Sequence, residues 1–228
     1  MNHRHEQSLA DDFNDFLRER AAELKMQVQP MSLDGQDRDA GADYLITTSS
    51  RFALVEFKYT DLNLPEEGGK IRRLNLCQEL QKAGNSKMRS MHDKCHFVAW
   101  LQNPEQELNV NVYRLEICNK EIFGSESKLS CTHPQRAGRI SAETFAAEFF
   151  ENSKPRTLVL GDFEKYLSWL LQNTSGSEST SLELAFRDKT SPIFRQLVFK
   201  SVRAAHDWLV ANKPKPKPKI SKRRRPGV

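Results

Sequence analysis

Long apolar runs are missing from this sequence. No stretch approaches the ~18 consecutive apolar residues of a membrane-spanning helix, and the opening MNHRHEQSLADD has no apolar segment of the kind a secretory signal carries. Cysteine is sparse. Cys77, Cys95, Cys118 and Cys131 form no C-x-x-C pair and lack the density of a disulfide scaffold, which fits a reducing compartment. The expectation is a cytoplasmic protein with no membrane partner, nucleoid-associated in a bacterium or nuclear in a eukaryote. Acidic residues are absent from the C-terminal stretch: residues 213–228 hold eight of the 35 Lys and Arg and no Asp or Glu. The remaining 212 residues carry 27 basic against 30 acidic side chains, so the net charge of +5 belongs to the tail and not to the body.

What is present centres on one stretch, Gly41-Ala42-Asp43-Tyr44-Leu45-Ile46 followed after a polar break by Arg51-Phe52-Ala53-Leu54-Val55-Glu56-Phe57-Lys58. Both halves have the apolar, β-branched and aromatic content of strands. Closing an antiparallel hairpin across Thr48 and Arg51 sets Asp43 opposite Glu56. Strand side chains alternate faces, so Lys58 shares a face with Glu56. Two carboxylates and an ammonium then converge among apolar neighbours. Like charges opposite each other repel, and a divalent cation would relieve that repulsion, since Mg²⁺ is held by one or two carboxylates with water and phosphate oxygens. Lys58 would activate or position the attacking water and stabilise charge developing on phosphate. The alternative is a surface Glu56–Lys58 ion pair beside an unrelated Asp43.

The pattern of Asp43 within GADYLI and Glu56-x-Lys58 within ALVEFK resembles the PD-(D/E)XK, or restriction-endonuclease-like, nuclease superfamily. Ala42 stands where that pattern usually has Pro. The resemblance implies an α/β fold with an α-β-β-β-α-β core and a mixed central sheet. It implies a metal-dependent nuclease hydrolysing DNA phosphodiester bonds, with Asp43, Glu56 and Lys58 as catalytic residues and Mg²⁺ as cofactor, Mn²⁺ substituting. Asp43, Glu56 and the backbone carbonyl of Phe57 would hold the metal, joined by a Glu of the first helix: Glu23, with Glu19 second. Gln78 occupies the helix where some members place a substrate-positioning Gln. RNA is the alternative substrate, and a non-catalytic nuclease-fold scaffold, or a nucleic-acid-tethering subunit of a larger complex, the alternative function.

Around that core, residues 6–26 form an amphipathic helix capped by Ser8, with Leu9, Phe13, Phe16, Leu17 and Leu24 on its apolar stripe. A weak strand over 25–33 leads into the polar, turn-rich loop 34–41. Residues 60–69 read as a mobile connecting loop, and 70–91 as a helix broken or kinked at Gly84-Asn85. Lys70, Arg72 and Arg73 crowd its first turn against the macrodipole, which suits contact with phosphate. Residues 94–101 have the continuous apolar run of a central strand, and 108–117 alternate as a further one. The spacing of His92, Cys95 and His96, and of Cys131 and His133, matches no standard zinc pattern.

The domains expected are a nuclease-like core over 1–118, an α+β, mainly helical extension over 119–212, and a disordered tail over 213–228. The extension packs on the core or forms a surface for a protein partner. It reads as an extended loop over 119–141, a Ser141-capped helix to 152, a brief strand over 157–160, a helix from Asp162 to 172, a flexible turn over 174–181 and a strand over 182–186. A helix started by Ser191-Pro192 then runs to 212. The tail, KPKPKPKISKRRRPGV, alternates Lys and Pro and favours extended polyproline-II. Lys213, Lys215, Lys217, Lys219, Lys222, Arg223, Arg224 and Arg225 would bind nucleic acid without sequence preference.

Overall fold

The computed structural model describes residues 3–33, 41–48, 50–103, 106–151, 156–174, 184–187 and 196–211. The 34–40 part of the polar loop, the turn after Thr174, Ser191-Pro192 and the basic tail with its eight cations lie outside the described residues.

Among the described residues one nine-stranded sheet runs through the protein. Its strands are β1 (Gln29–Ser32), β2 (Tyr44–Thr47), β3 (Arg51–Thr60), β4 (His96–Gln102), β5 (Glu107–Val112), β6 (Ile140–Ser141), β7 (Leu158–Val159), β8 (Leu184–Arg187) and β9 (Gln196–Phe199). The order is β6-β5-β4-β3-β2-β1-β8-β9, with β7 paired to the start of β3. β3 and β4 pair in parallel; the other described pairs are antiparallel. The β2–β3 hairpin has the expected register: Tyr44 pairs with Val55 and Thr47 with Phe52, and Thr48 N–H donates to Arg51 O at 3.1 Å.

Helices cover both faces. On one lie α1 (His3–Glu23) and α6 (Ala142–Phe150), on the other α2 (Ile71–Gln81), α3 (Ser86–Cys95), α7 (Leu160–Thr174) and α8 (Val202–Ala211). Leu9, Phe13, Leu17 and Ala21 recur every fourth residue of α1 and are buried. Phe13 meets the rings of Phe57 and Phe145 at 5.6 and 5.8 Å, and each such buried side chain contributes about 1.5–3 kcal/mol. α1 ends earlier than its pattern suggests. Lys25 takes a left-handed conformation (φ 56°), and Met26 and Lys25 N–H groups donate to Ala21 and Ala22 carbonyls, leaving Leu24 exposed. Ser8 lies inside the helix, not at its cap.

The opposite layer packs Leu76 and Leu80 of α2, Met91 and Cys95 of α3, and Phe163, Tyr166 and Leu170 of α7 against Leu45, Leu54, Val98 and Trp100. Val55 and Phe57 point toward α1 and α6 while Leu54 points toward α2. By alternation Glu56 and Lys58 also face the α2 layer. The extension is not separate from the core: β7 and β8 join the sheet, and α6 and α7 supply one buried layer each.

Several local expectations change. Residues 61–69 form a 3₁₀ segment, Asp61–Gly69, in which Leu64 and Glu67 are buried. It starts where Asn63 Oδ1 accepts from both the N–H and the hydroxyl of Thr60, at 3.1 and 3.0 Å. Gly68 lies so close to Ile122 O that a Cβ would sit 2.1 Å away, so only glycine fits. Residues 113–117 are not strand but a short helix, α4 (Tyr113–Ile117), and the 119–141 loop contains another, α5 (Lys120–Phe123). The C-terminal helix starts at Val202, after Ser201 Oγ accepts from Ala204 N–H at 3.1 Å; residues 196–199 pair with β8 as a strand and leave Val198 exposed. Among the described residues no helix is long and apolar enough to cross a membrane.

Candidate active site

The site lies where β2 enters the sheet and β3 passes beneath α2. The ladder between β2 and β3 ends at Tyr44. One residue earlier Asp43 N–H still donates to Val55 O (3.0 Å), and its Oδ2 accepts from Phe57 N–H at 2.7 Å, taking the place of a strand carbonyl. Glu56 and Lys58 are 1% and 4% exposed, and Lys58 Nζ donates to Glu56 Oε1 at 2.9 Å. The pair is buried, so the surface ion-pair reading is overturned.

Glu67, read in the sequence as part of a mobile loop, completes the group. Its Oε1 lies 3.3 Å from Lys58 Nζ and also contacts Lys70; its Oε2 lies 3.3 Å from Arg73 Nε and accepts from Tyr113 Oη at 2.6 Å. Lys70 Nζ lies 3.1 Å from Glu56 Oε1, and Arg73 Nη2 is 3.6 Å from Glu56 Oε2. Two carboxylates, Glu56 and Glu67, therefore share three cations. Glu56 Oε2 is buried and has no hydrogen-bond partner.

Burial, and then the negative charge of Glu56, push the Asp43 carboxyl up to about 8. Burial would also raise Glu56, but the positive field of Lys58, Arg73 and Lys70 outweighs it and holds Glu56 well below the carboxylate range. Burial works to lower Lys58, yet Glu56, Glu67, Asp43 and Glu6 around it drive its ammonium well above the usual Lys range. Lys58 is thus held in its charged form.

Other expected site residues lie elsewhere or are engaged. Glu23 is exposed at the far end of α1, bonded to Arg20 at 2.9 Å. The carboxylate of α1 that acts on Lys58 is Glu6, about 25 Å from Glu23 along the helix at 1.5 Å per residue. Glu23 is displaced because the helical stripe fixes which face is buried but not which end meets the sheet's charged edge. Arg73 was expected on phosphate; it is 2% exposed and spent on Glu56 and Glu67. Gln78 donates to Ser127 O at 2.9 Å, tying α2 to the 3₁₀ turn that follows α5 rather than facing a substrate. The Phe57 carbonyl accepts from Lys58 Nζ at 3.0 Å. Arg72 is half-buried, and Lys70, its side chain 43% exposed, is the site cation open to solvent.

Behind the site lies a buried chain of hydrogen bonds that fixes every proton in it. His92 Nε2 accepts from Arg114 N–H at 3.1 Å, so its proton is on Nδ1, which donates to Tyr166 Oη at 2.7 Å. Tyr166 donates to His96 Nδ1 at 2.7 Å, and His96 Nε2–H donates to Gly41 O at 2.7 Å. Burial holds both imidazoles neutral, His96 down at about 4 and His92 well below its usual value. These rings, which were weighed as zinc ligands, have both nitrogens occupied. Gly41, at φ +72°, fits between Arg73 Nη1 and His96 Cε1, where a Cβ would lie 2.9 and 3.2 Å away. His96 therefore anchors the turn that delivers Asp43. Nitrogen-15 spectra should show His92 as the Nδ1–H and His96 as the Nε2–H tautomer, with neither titrating between about pH 5.5 and 8. Titration of either ring in that range would break the assigned chain.

Sequence carried little signal for Glu67, Tyr113 or this chain. Glu67 precedes Lys70 by three residues and Arg73 by six, a spacing that reads as a helix face only once the 3₁₀ segment is seen. Likewise unexpected is a disulfide between Cys77 of α2 and Cys118 after α4, 41 positions apart, with Cα atoms 5.2 Å apart. Helix packing brings the two together, and no short-range spacing reveals it. No protein-family model matches the chain, and no curated protein or solved structure shows significant similarity to it.

Proposed function

We propose that this protein is a metal-dependent nuclease that hydrolyses phosphodiester bonds of DNA. The observation that carries this reading is the convergence of Asp43 with the buried Glu56 and Lys58 at the mouth of the β2–β3 hairpin, in the pattern the sequence suggested. A divalent cation fits the donor set. Glu56 Oε2 lacks a hydrogen-bond partner, and Asp43 keeps its proton through burial and the negative charge of Glu56, which a bound cation would offset. Lys70, half-exposed and bridging Glu56 Oε1 and Glu67 Oε1, is the group a cation would displace. Asp43 and Glu56, with Glu67 beside them, would hold Mg²⁺ or Mn²⁺, which supplies Lewis acidity to the phosphoryl group and lowers the pKa of a bound water.

The chain's own residues do the rest. Lys58, permanently charged, offers an ammonium to a non-bridging phosphate oxygen, where charge grows in the transition state. Arg73 and Tyr113 hold Glu67 in place. Lys70 and Arg72, at the start of α2, meet the approaching phosphate backbone, and the basic tail raises local substrate concentration.

A second reading is favoured by the completeness of the ion network: Glu56 and Glu67 are neutralised by Lys58, Lys70 and Arg73 with no metal needed. On that reading the cluster is structural and the protein a non-catalytic scaffold. The test is incubation with supercoiled, linear and single-stranded DNA and with RNA, in Mg²⁺, Mn²⁺ or EDTA, beside calorimetric Mn²⁺ titration. Metal-dependent cleavage of DNA, lost in Lys58→Ala while Mn²⁺ still binds, supports the nuclease. Absence of both Mn²⁺ binding and cleavage supports the scaffold.

A further inference from the structure

The cavity behind α2 has chemistry that the proposed nuclease site does not use. Its volume is about 210 Å³, and its walls include Cys77, Cys118 and Cys131 together with Arg89, Arg114 and Gln135. Cys77 and Cys118 are joined as a disulfide, whereas Cys131 is free and half-exposed. The Cys131 segment is held in place by backbone bonds to residues on either side of Cys118. Lys120 N–H donates to Cys131 O at 3.0 Å, Glu121 N–H to Thr132 O at 3.2 Å, and Gln135 N–H to Leu115 O at 2.8 Å. The Cys131 thiol points to His133 O at 3.1 Å, with Gln135 Nε2 at 3.9 Å from its sulfur.

We propose that these three cysteines form a thiol–disulfide exchange centre, in which Cys131 is the attacking thiol and the Cys77–Cys118 disulfide is its substrate. Cys131 gives its proton to solvent, and the thiolate attacks Cys118 Sγ. The Cys131–Cys118 bond forms, the Cys118–Cys77 bond breaks, and the electron pair leaves on Cys77 Sγ, which takes a proton from solvent. No external oxidant or reductant is consumed. Cys118 is the sulfur attacked because Cys131 is anchored beside its chain segment and because it is the more accessible of the pair, 8% exposed against 1% for Cys77. Arg89 and Arg114 also line this cavity. Both are fixed there, Arg89 by Leu80 O at 2.8 Å and Arg114 by a two-pronged contact with Asp93 at 2.9 and 2.6 Å.

The two isomers differ in what they tie together. The Cys77–Cys118 bond fastens α2 to the end of α4; the Cys118–Cys131 bond closes a shorter loop and releases α2. Arg73 lies one turn before Cys77 on that helix, in contact with Glu56 and Glu67. The exchange centre therefore acts on the helix that roofs the charged cluster.

The test is peptide mapping of the full-length oxidised protein after acid quench and maleimide alkylation. Wild-type protein held at mildly alkaline pH should accumulate a Cys118–Cys131 peptide, at a rate rising about tenfold per pH unit below the thiol pKa. Cys77→Ser, oxidised with a diazene, should give the Cys118–Cys131 link within the monomer. If wild-type protein yields only Cys77–Cys118, with Cys131 fully alkylated at every time, the proposal is overturned, even where Cys77→Ser fails to fold. Cleavage activity plays no part in this readout, so the result stands apart from that of the nuclease test.

Discussion

Glu56→Ala should destabilise the fold by about 3–5 kcal/mol, the usual loss when one partner of a buried ion network is removed. A hairpin considered alone suggests the reverse, since two facing carboxylates repel and deleting one relieves them. The network changes the sign. Glu56 meets Lys58, Lys70 and Arg73, and without it the buried Lys58 and Arg73 lose one of the two carboxylates that pair with them directly. Glu56→Gln retains shape and a hydrogen-bonding oxygen, so its loss should be smaller, though any metal-dependent cleavage should vanish in both. Urea unfolding at neutral pH measures the difference as a lower midpoint at unchanged slope. A stability equal to wild type in Glu56→Ala would mean that water reaches the cluster and the ion pairs are solvated.

Stability should also fall as pH rises from about 6 to 9, and Asp43→Asn should remove most of that fall. The sign follows from linkage. Asp43 has a folded pKa raised to about 8 against an unfolded value near ~3.9, so the native state binds the extra proton throughout that interval. Stability from this group is fully present below the unfolded pKa and is lost as pH rises through the folded one. Each pKa unit corresponds to about 1.4 kcal/mol, but Asp43 is partly exposed and screening reduces the effect. A loss on the order of 1–2 kcal/mol between pH 6 and 9 is expected. Saturating Mg²⁺ or Mn²⁺ should flatten the same curve, because a bound cation favours the ionised carboxyl. Thermal melts across pH, with and without metal, read all three forms. The same slope in Asp43→Asn as in wild type would assign it to another group.

The parts of this site that could be read in the sequence are those governed by alternation. β2 and β3 are apolar runs joined by the polar break 48–51, which sets their register, and successive strand side chains alternate faces, so the shared face of Glu56 and Lys58 follows. The central strand β4 is legible instead from its continuous apolar run, buried on both faces. Glu67 was hidden because a carboxylate between Pro65 and Gly68-Gly69 is indistinguishable from ordinary loop polarity until Ile122 O is known to press on Gly68. The strand over 196–199 was concealed by the cap-like Ser191-Pro192 and by a helical periodicity that Leu197 and Val198 happen to satisfy. Its pairing with β8 decides the matter, and such pairing leaves no local trace. The His92–Tyr166–His96 chain joins residues some 70 positions apart, beyond the reach of any periodicity.

The parallel pairing of β3 with β4 has a kinetic consequence. Parallel neighbours cannot be joined by a tight turn, and here the crossover carries the 3₁₀ segment, α2 and α3 before His96 aligns with Leu54. Closing that span loses chain entropy before contacts reward it. Glu56 and Lys58 belong to a local hairpin that can form early, while Glu67, Arg73 and Tyr113 reach them only when the crossover has closed. The charges of the cluster must therefore wait in water until late in folding, and their dehydration falls within its last steps.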